Sequence, residues 1–314
     1  MHPPLAAEHT PSTAPTADTA VFLHGLGGWT HNWAALIALL RDSVHCLALD
    51  LPGHGRSAPP ADGITVRHQA EAVADHLTRT GHRRVHLVGN SLGGLTALHL
   101  AAQRPEAVAT LTLLAPVLPA LPPPQAARAA LLALPGAPRL YARLLAARSP
   151  DRQLDDLYRL IYADPRRVRP EQRAAEARER LRRSVLPHAP RMLPEGMRAV
   201  VRSSLHRGAA SPWRQAGRIT APTLLVYGRE DRLVPFRLAP RAYAAFRDAR
   251  LLTLPDTGHV AMQEHPAAVA AAFRALLADA DRAARPVATP GDRAVPPVPA
   301  RSTGPGRPVR VPPG

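Results

Sequence analysis

Short apolar blocks and longer stretches of helical spacing take turns along this chain. Val21 to Leu23, Val44 to Leu49, Val85 to Val88, Leu111 to Leu114, Thr223 to Tyr227 and Arg250 to Leu254 are compact runs dominated by Val and Leu. Runs this short, without strict polar alternation, predict strands buried on both faces. Between them, Trp33 to Leu40, Val66 to Thr78, Leu92 to Gln103, Phe236 to Phe246 and Ala267 to Ala280 place apolar residues three and four apart. That is the spacing of a helix covering a sheet. Alternating strands and helices predict βαβ units. The expected class is α/β, a mostly parallel sheet of about six strands flanked by helices.

The beat stops at residue 117. Residues 117–213 hold no convincing strand, only Leu- and Ala-rich helical stretches broken by prolines such as Pro122, Pro135, Pro165 and Pro170. The predicted organisation is therefore a core in two parts, 19–115 and 214–284, separated by an all-helical insertion over 116–213. Residues 1–18 are rich in Pro, Thr and Ala and are expected to be disordered. Residues 285–314 include nine prolines with Gly and Arg between them. Such a tail cannot build a core and is expected to be disordered too.

Composition narrows the function classes. The chain has 314 residues, 46% hydrophobic but only 4% aromatic, so the core must rest on Leu, Val and Ala. The formal charge is +16, and every basic residue is Arg. Ala, Pro and Arg are inflated together, which points to a composition bias. No nucleic-acid recognition module accompanies the charge, so no nucleic-acid partner is expected. Cys46 is the only cysteine; it excludes an internal disulfide and fits a reducing compartment. No basic-then-apolar leader opens the chain and no apolar run reaches the ~18 residues of a membrane span. A cytoplasmic location without integral membrane association is the expectation.

The candidate chemistry sits at strand ends, where open parallel sheets bind ligands. Gly89-Asn90-Ser91-Leu92-Gly93-Gly94 lies between a predicted strand and a predicted helix. Glycines two residues either side of the serine let strand and helix approach closely and push the hydroxyl out on a tight turn. A serine needs a base, and the base an orienting acid. His259 follows the last strand, and its imidazole can accept and return a proton near neutrality. Asp231, in the loop after Tyr227, can hold the other imidazole N–H; Glu230 is its neighbouring competitor. The backbone N–H of Leu92, at a helix start, and that of Leu26, in His24-Gly25-Leu26-Gly27-Gly28, are the expected oxyanion donors. His24 is expected to hold that loop and not to act in the reaction. Substrate contacts are expected from Gly25, Gly27, Trp29, Asn90 and Val260.

Taken in order, four segments carry a resemblance: His24 to Gly28, Asp50-Leu51-Pro52-Gly53-His54-Gly55-Arg56-Ser57, Gly89 to Gly94, and Gly228 to Pro235 followed by Gly258-His259. The chain resembles the α/β-hydrolase superfamily over about residues 20–284, with that family's order of serine, acid and histidine. The resemblance implies that the insertion caps the pocket. It implies that Asp50 and Arg56 anchor turns. Family members usually carry two antiparallel strands ahead of the first strand seen here; only about 20 residues precede Val21 and none reads as a strand. Val44 to Leu49 would then be an uncovered sheet edge, to be met by a cover from the N-terminal segment, by a dimer, or by lower stability; a start codon assigned too late is the fourth explanation.

The expected activity is a serine hydrolase cleaving a carboxylic ester, thioester or amide of a small to medium, partly apolar substrate through an acyl-enzyme. Two alternatives remain. Asn90 before the serine resembles carbon–carbon bond hydrolases of vinylogous diketones, although Val260 stands where those carry Trp. A non-catalytic ligand-binding protein on the same fold is the other. The Arg-rich stretch Arg166 to Arg183 reads as a solvated helix face, or as the source of one Arg entering the pocket to meet a carboxylate. No metal-ligand spacing and no phosphate loop occurs; no cofactor is expected. The partner is a small-molecule substrate, and the protein a monomer or homodimer.

Overall fold

Within each buried strand, successive side chains leave on opposite faces, and the two sets pack into two separate apolar clusters. The computed structural model describes residues 2–284 apart from 15, 16 and 62; the expected disordered tail lies outside them. In chain order the strands are β1 (Ala7–Thr10), β2 (Thr19–Leu23), β3 (His45–Leu49), β4 (Val85–Asn90), β5 (Val108–Leu114), β6 (Thr223–Gly228) and β7 (Ala249–Leu254). The helices are α1 (Ala34–Leu40), α2 (Val66–Arg79), α3 (Leu92–Gln103), α4 (Pro124–Ala130), α5 (Ala137–Ala146), α6 (Pro150–Ile161), α7 (Pro170–Ser184), α8 (Ala189–Leu205), α9 (Pro212–Ala216), α10 (Ala239–Ala245), α11 (Ala261–Glu264) and α12 (Pro266–Ala284).

One seven-stranded sheet results, in the order β1-β3-β2-β4-β5-β6-β7. Every pairing is parallel except β1 with β3. Val21 and Leu23 face one side with Leu47, Leu49, Leu87, Leu111, Leu113 and Leu225, against α2 and α3 residues such as Val73, Leu77, Leu98 and Ala101. Ala20 and Phe22 face the other with Cys46, Ala48, Val88, Leu114 and Val226, against Leu36 and Leu40 of α1 and Val269, Phe273 and Leu276 of α12. The inner parallel strands β2 to β6 are buried almost throughout and have no polar side to show, which is why they read as apolar runs; β7, at the sheet edge, is only half-buried.

The expectation for the N-terminus is corrected. Residues 1–18 were expected to be disordered and the N-terminal antiparallel strands absent. Instead, Ala7–Thr10 forms β1, paired antiparallel to β3 with Ala7 opposite Leu49 and Thr10 opposite Cys46. Leu5 is buried beside it in the first apolar cluster. The strand escaped notice because Ala7-Glu8-His9-Thr10 carries no apolar alternation. Its first three residues are exposed, and main-chain pairing holds it. The N-terminal segment thus covers the edge that β3 would otherwise leave bare. A polar strand of four residues is also a sound outer edge, since it offers other chains little to pair with.

Between β5 and β6 the described residues form helices and turns without a strand. No described helix is long and apolar enough to cross a membrane.

Candidate active site

β4 ends at Asn90 and α3 begins at Leu92, leaving one residue for the turn. Ser91 makes it with φ 55° and ψ −115°, a conformation a non-glycine residue adopts only under constraint from its surroundings. The constraint is visible. A Cβ on Gly93 would lie 2.1 Å from the Leu23 carbonyl oxygen, and one on Gly89 would lie 2.4 Å from that of Gly93. The helix can therefore start against β2 only with glycine at both places. The Ser91 N–H donates to Leu114 O at 3.0 Å, and Ser91 O accepts from Leu95 N at 3.0 Å. Leu92 is the first residue of α3, so its N–H has no acceptor within the helix.

Opposite the serine, His259 and Asp231 are hydrogen-bonded through Nδ1 and Oδ2 at 2.8 Å, both buried. The second carboxylate oxygen, Oδ1, accepts from Leu233 N at 2.8 Å and Val234 N at 2.9 Å. Asp231, and not Glu230, which is exposed, thus meets the imidazole. The His259 main chain is fixed from both sides. Its N–H donates to Ile161 O at 2.7 Å, and its carbonyl accepts from Asn90 Nδ2 at 3.1 Å. Asn90 Nδ2 also donates to Leu114 O at 3.1 Å. The residue before the serine therefore ties the serine turn to the histidine loop, and both its N–H groups are engaged.

The loop after β2 comes close to Ser91. A Cβ at Gly25 would sit 3.0 Å from Asn90 Oδ1 and 3.2 Å from Ser91 Cβ. His24 holds this loop from beneath, as expected. Its Nδ1–H donates to Gly25 O at 2.8 Å and its Nε2 accepts from Leu51 N at 3.0 Å. Burial pushes it down to about 4, so the ring stays neutral with the proton on Nδ1. Asp50 is an anchor as expected, accepting from Thr30 N at 2.8 Å and Arg56 N at 2.9 Å. The Arg56 contribution is its backbone N–H.

From above, the loop is held by the insertion, which sequence reasoning missed. Arg183 of α7 donates to Gly27 O at 2.8 Å, and Trp29 Nε1 donates to Glu176 Oε2 at 3.1 Å. Arg183 also pairs with Glu179 at 3.2 Å and Glu176 at 3.5 Å. Arg182 donates to Gly55 O in the neighbouring loop. The Leu26 side chain fills the space over Gly196 of α8, where a Cβ would lie 2.2 Å from Leu26 Cδ1. Glu264 was missed as well. It accepts from Gly258 N at 2.7 Å and Ala163 N at 2.9 Å, joining the histidine loop to the end of α6. Burial raises its carboxyl above the usual range. No spacing signal marks these residues, because each acts across a distance in sequence of at least 100 residues, or, for Glu264, as an isolated acid.

A cavity of about 1130 Å³ opens among these elements. Ser91, His259, Gly25, Leu26, Gly27, Trp29, Asn90, Leu92 and Val260 line it; Asp231 lies behind His259 and does not. Much of the remaining wall comes from the insertion, with Leu132, Tyr141, Leu157, Ile161, Met192, Leu193, Met197 and Val200. Arg180 and Arg183 also reach it, so the Arg-rich helix is solvated on one side only.

A serine at a helix start, a carboxylate-bound imidazole on the same cavity and main-chain N–H groups nearby form an arrangement suited to acyl transfer. A family model described as alpha/beta hydrolase fold matches residues 20–266; the chain belongs to that family. Among its relatives, the pimeloyl-[acyl-carrier protein] methyl ester esterase of Aromatoleum aromaticum is 31% identical over 247 residues, 78% of this chain and 92% of that protein. The 2-hydroxy-6-oxononadienedioate/2-hydroxy-6-oxononatrienedioate hydrolase of Cupriavidus pinatubonensis is 27% identical over 292 residues, 86% of this chain and 89% of that protein. A stretch of 101 residues is 42% identical to the dihydrolipoyllysine-residue acetyltransferase component of the acetoin cleaving system of Cupriavidus necator; this covers only 27% of that longer protein. The crystal structure of Cfl2 from Burkholderia cenocepacia superposes with a TM-score of 0.72 at 25% identity, covering 86% of this chain and 92% of that one.

Proposed function

We propose that this hydrolase cleaves a carboxylic ester, or a thioester or amide, of a small to medium, partly apolar molecule through a serine acyl-enzyme. Ser91 attacks the carbonyl, His259 takes its proton and returns it to the leaving group, and Asp231 orients the ring and offsets the imidazolium charge. The N–H groups of Leu26 and Leu92 hold the oxyanion. Water repeats the sequence to release the acid. Residues 116–213 act as the cap, and the apolar wall they give the cavity is what favours an apolar acyl or alcohol group. The observation that carries the reading is the 2.8 Å His259–Asp231 bond on the same cavity as a serine held at φ 55°. A fluorophosphonate probe labels the wild-type protein and leaves Ser91→Ala unlabelled; equal labelling of both would remove Ser91 from the mechanism. A panel of p-nitrophenyl esters of increasing chain length then defines the acyl group.

A second reading, carbon–carbon bond hydrolysis, is supported by the Cupriavidus pinatubonensis relative and by the arginines at the cavity wall. Turnover of a vinylogous diketone acid faster than any ester in the panel would select it.

A further inference from the structure

We propose that the outer face of residues 121–144 docks on an anionic lipid bilayer. This part of the insertion is a thin wall. Its inner side gives Ala126, Ala129, Leu132, Tyr141 and Ala142 to the cavity. Its outer side leaves Leu131 59%, Leu134 55%, Leu140 60% and Leu144 56% exposed. Isolated surface leucines need no explanation, but four exposed ones within fourteen residues do. They are interleaved with Arg128, Arg139 and Arg143, all exposed and without a salt bridge among the described residues. No Asp or Glu occurs anywhere between Glu106 and Asp151.

On α5 the pattern is regular. Arg139 and Arg143 form one row at i,i+4 spacing and Leu140 and Leu144 the row beside it, while Tyr141 and Ala142 face inward. Parallel basic and apolar rows are what a helix lying in a membrane interface presents: leucines enter the acyl boundary and arginines stay with anionic headgroups.

Charge selects this occupant over the others. A second copy docked face to face would set arginines against arginines. The C-terminal residues 285–314 carry five Arg and one Asp, so they too repel this face. An acidic protein would satisfy the arginines, but the leucine row has its simplest complement in lipid. Docking this way would seat the cavity wall on the bilayer, beside any acyl substrate dissolved there.

Sedimentation of the full chain with phosphatidylglycerol/phosphatidylcholine vesicles tests the proposal. It reads binding without turnover, so its result is separate from the role of Ser91. The expected outcome is co-sedimentation that weakens with salt and is absent with pure phosphatidylcholine. Leu140→Gln/Leu144→Gln and Arg139→Gln/Arg143→Gln should each lower the partition coefficient at least about tenfold, with circular dichroism and thermal melting unchanged. Either double variant alone suffices if the other misfolds. The proposal is overturned if no vesicle binds, if the variants bind like the wild type, or if an acidic carrier protein is captured where anionic vesicles are not.

Discussion

At position 91 the backbone is held where a non-glycine residue is rarely found, and glycines on both sides make that possible. Gly93→Ala tests the packing directly. Its methyl group would meet the main-chain carbonyls of Leu23 and His24 at 2.1 and 2.5 Å. Neither can swing away as a side chain would, so β2 or the loop after it must shift. The expected result is a stability loss of about 3 kcal/mol in urea unfolding and loss of ester hydrolysis in whatever protein folds. Asp231→Asn asks a different question. It keeps the shape but lets the side chain donate to His259 Nδ1, which reverses the tautomer the proposed mechanism needs. The expected drop in kcat is about 10⁴-fold with KM little changed; a drop of less than tenfold would mean that Asp231 only supports the loop. The placement of Ser91 and His259 on one cavity, with Asp231 bonded to the imidazole, was legible in the sequence because it rests on residue type at strand ends. The second task of Asn90 was not: nothing local says that its amide will reach a carbonyl 169 residues away.

The strands were legible because a doubly buried strand has one composition along its whole length. β1 was not, because an edge strand stabilised by main-chain bonds can have almost any sequence. The insertion was legible as helices and illegible as contacts. Glu176, Glu179, Arg180, Arg182 and Arg183 form i,i+3 and i,i+4 pairs, and such pairs suggest a solvated face. Yet Glu179 is buried and Arg183 crosses to Gly27. The same residues thus clamp α7 to the proposed oxyanion loop. Arg183 is a positioning residue in this account. Arg183→Gln should lower kcat about tenfold, less than the ~10²–10³ expected when an oxyanion donor is removed outright. KM for a short ester should change little, and Arg183→Lys should recover part of the rate. Equal loss of stability and rate, with no recovery by Lys, would make Arg183 a packing residue only. The Glu176 and Glu179 carboxylates keep Arg180 and Arg182 in either variant, so no buried charge is left alone.

For the molecule as a whole, the buried pair His24 and His54 ties stability to pH. His24 and His54 lie against one another beneath the cavity, ring centroids 5.2 Å apart. Burial pushes His24 down to about 4 and His54 down to about 3, with Arg183 and the neighbouring imidazole adding to the effect on His54. Neither ring can be protonated in place at mild acidity, whereas an unfolded chain protonates both below about pH 6.5. The unfolded state then binds more protons, so stability rises with pH in this window and falls as the pH drops from 6.5 toward 4. Each such histidine gives a slope of about 1.4 kcal/mol per pH unit, on the order of 3 kcal/mol in all for His24. Asp50 and Glu264 oppose this, since burial raises both carboxyls and their contribution is lost only as the pH rises. His54→Asn separates the terms. The His54 Nδ1–H donates to Pro52 O at 3.1 Å, and Nε2 has no partner among the described residues, so an asparagine amide can replace the single bond while removing the titration. Urea unfolding at a series of pH values should show the slope between pH 6.5 and 4 reduced by about one proton's worth, with stability at pH 8 nearly unchanged. An unaltered slope would mean that His54 is protonated within the fold. The loops beneath the cavity would then be more open to water than their packing against His24 implies.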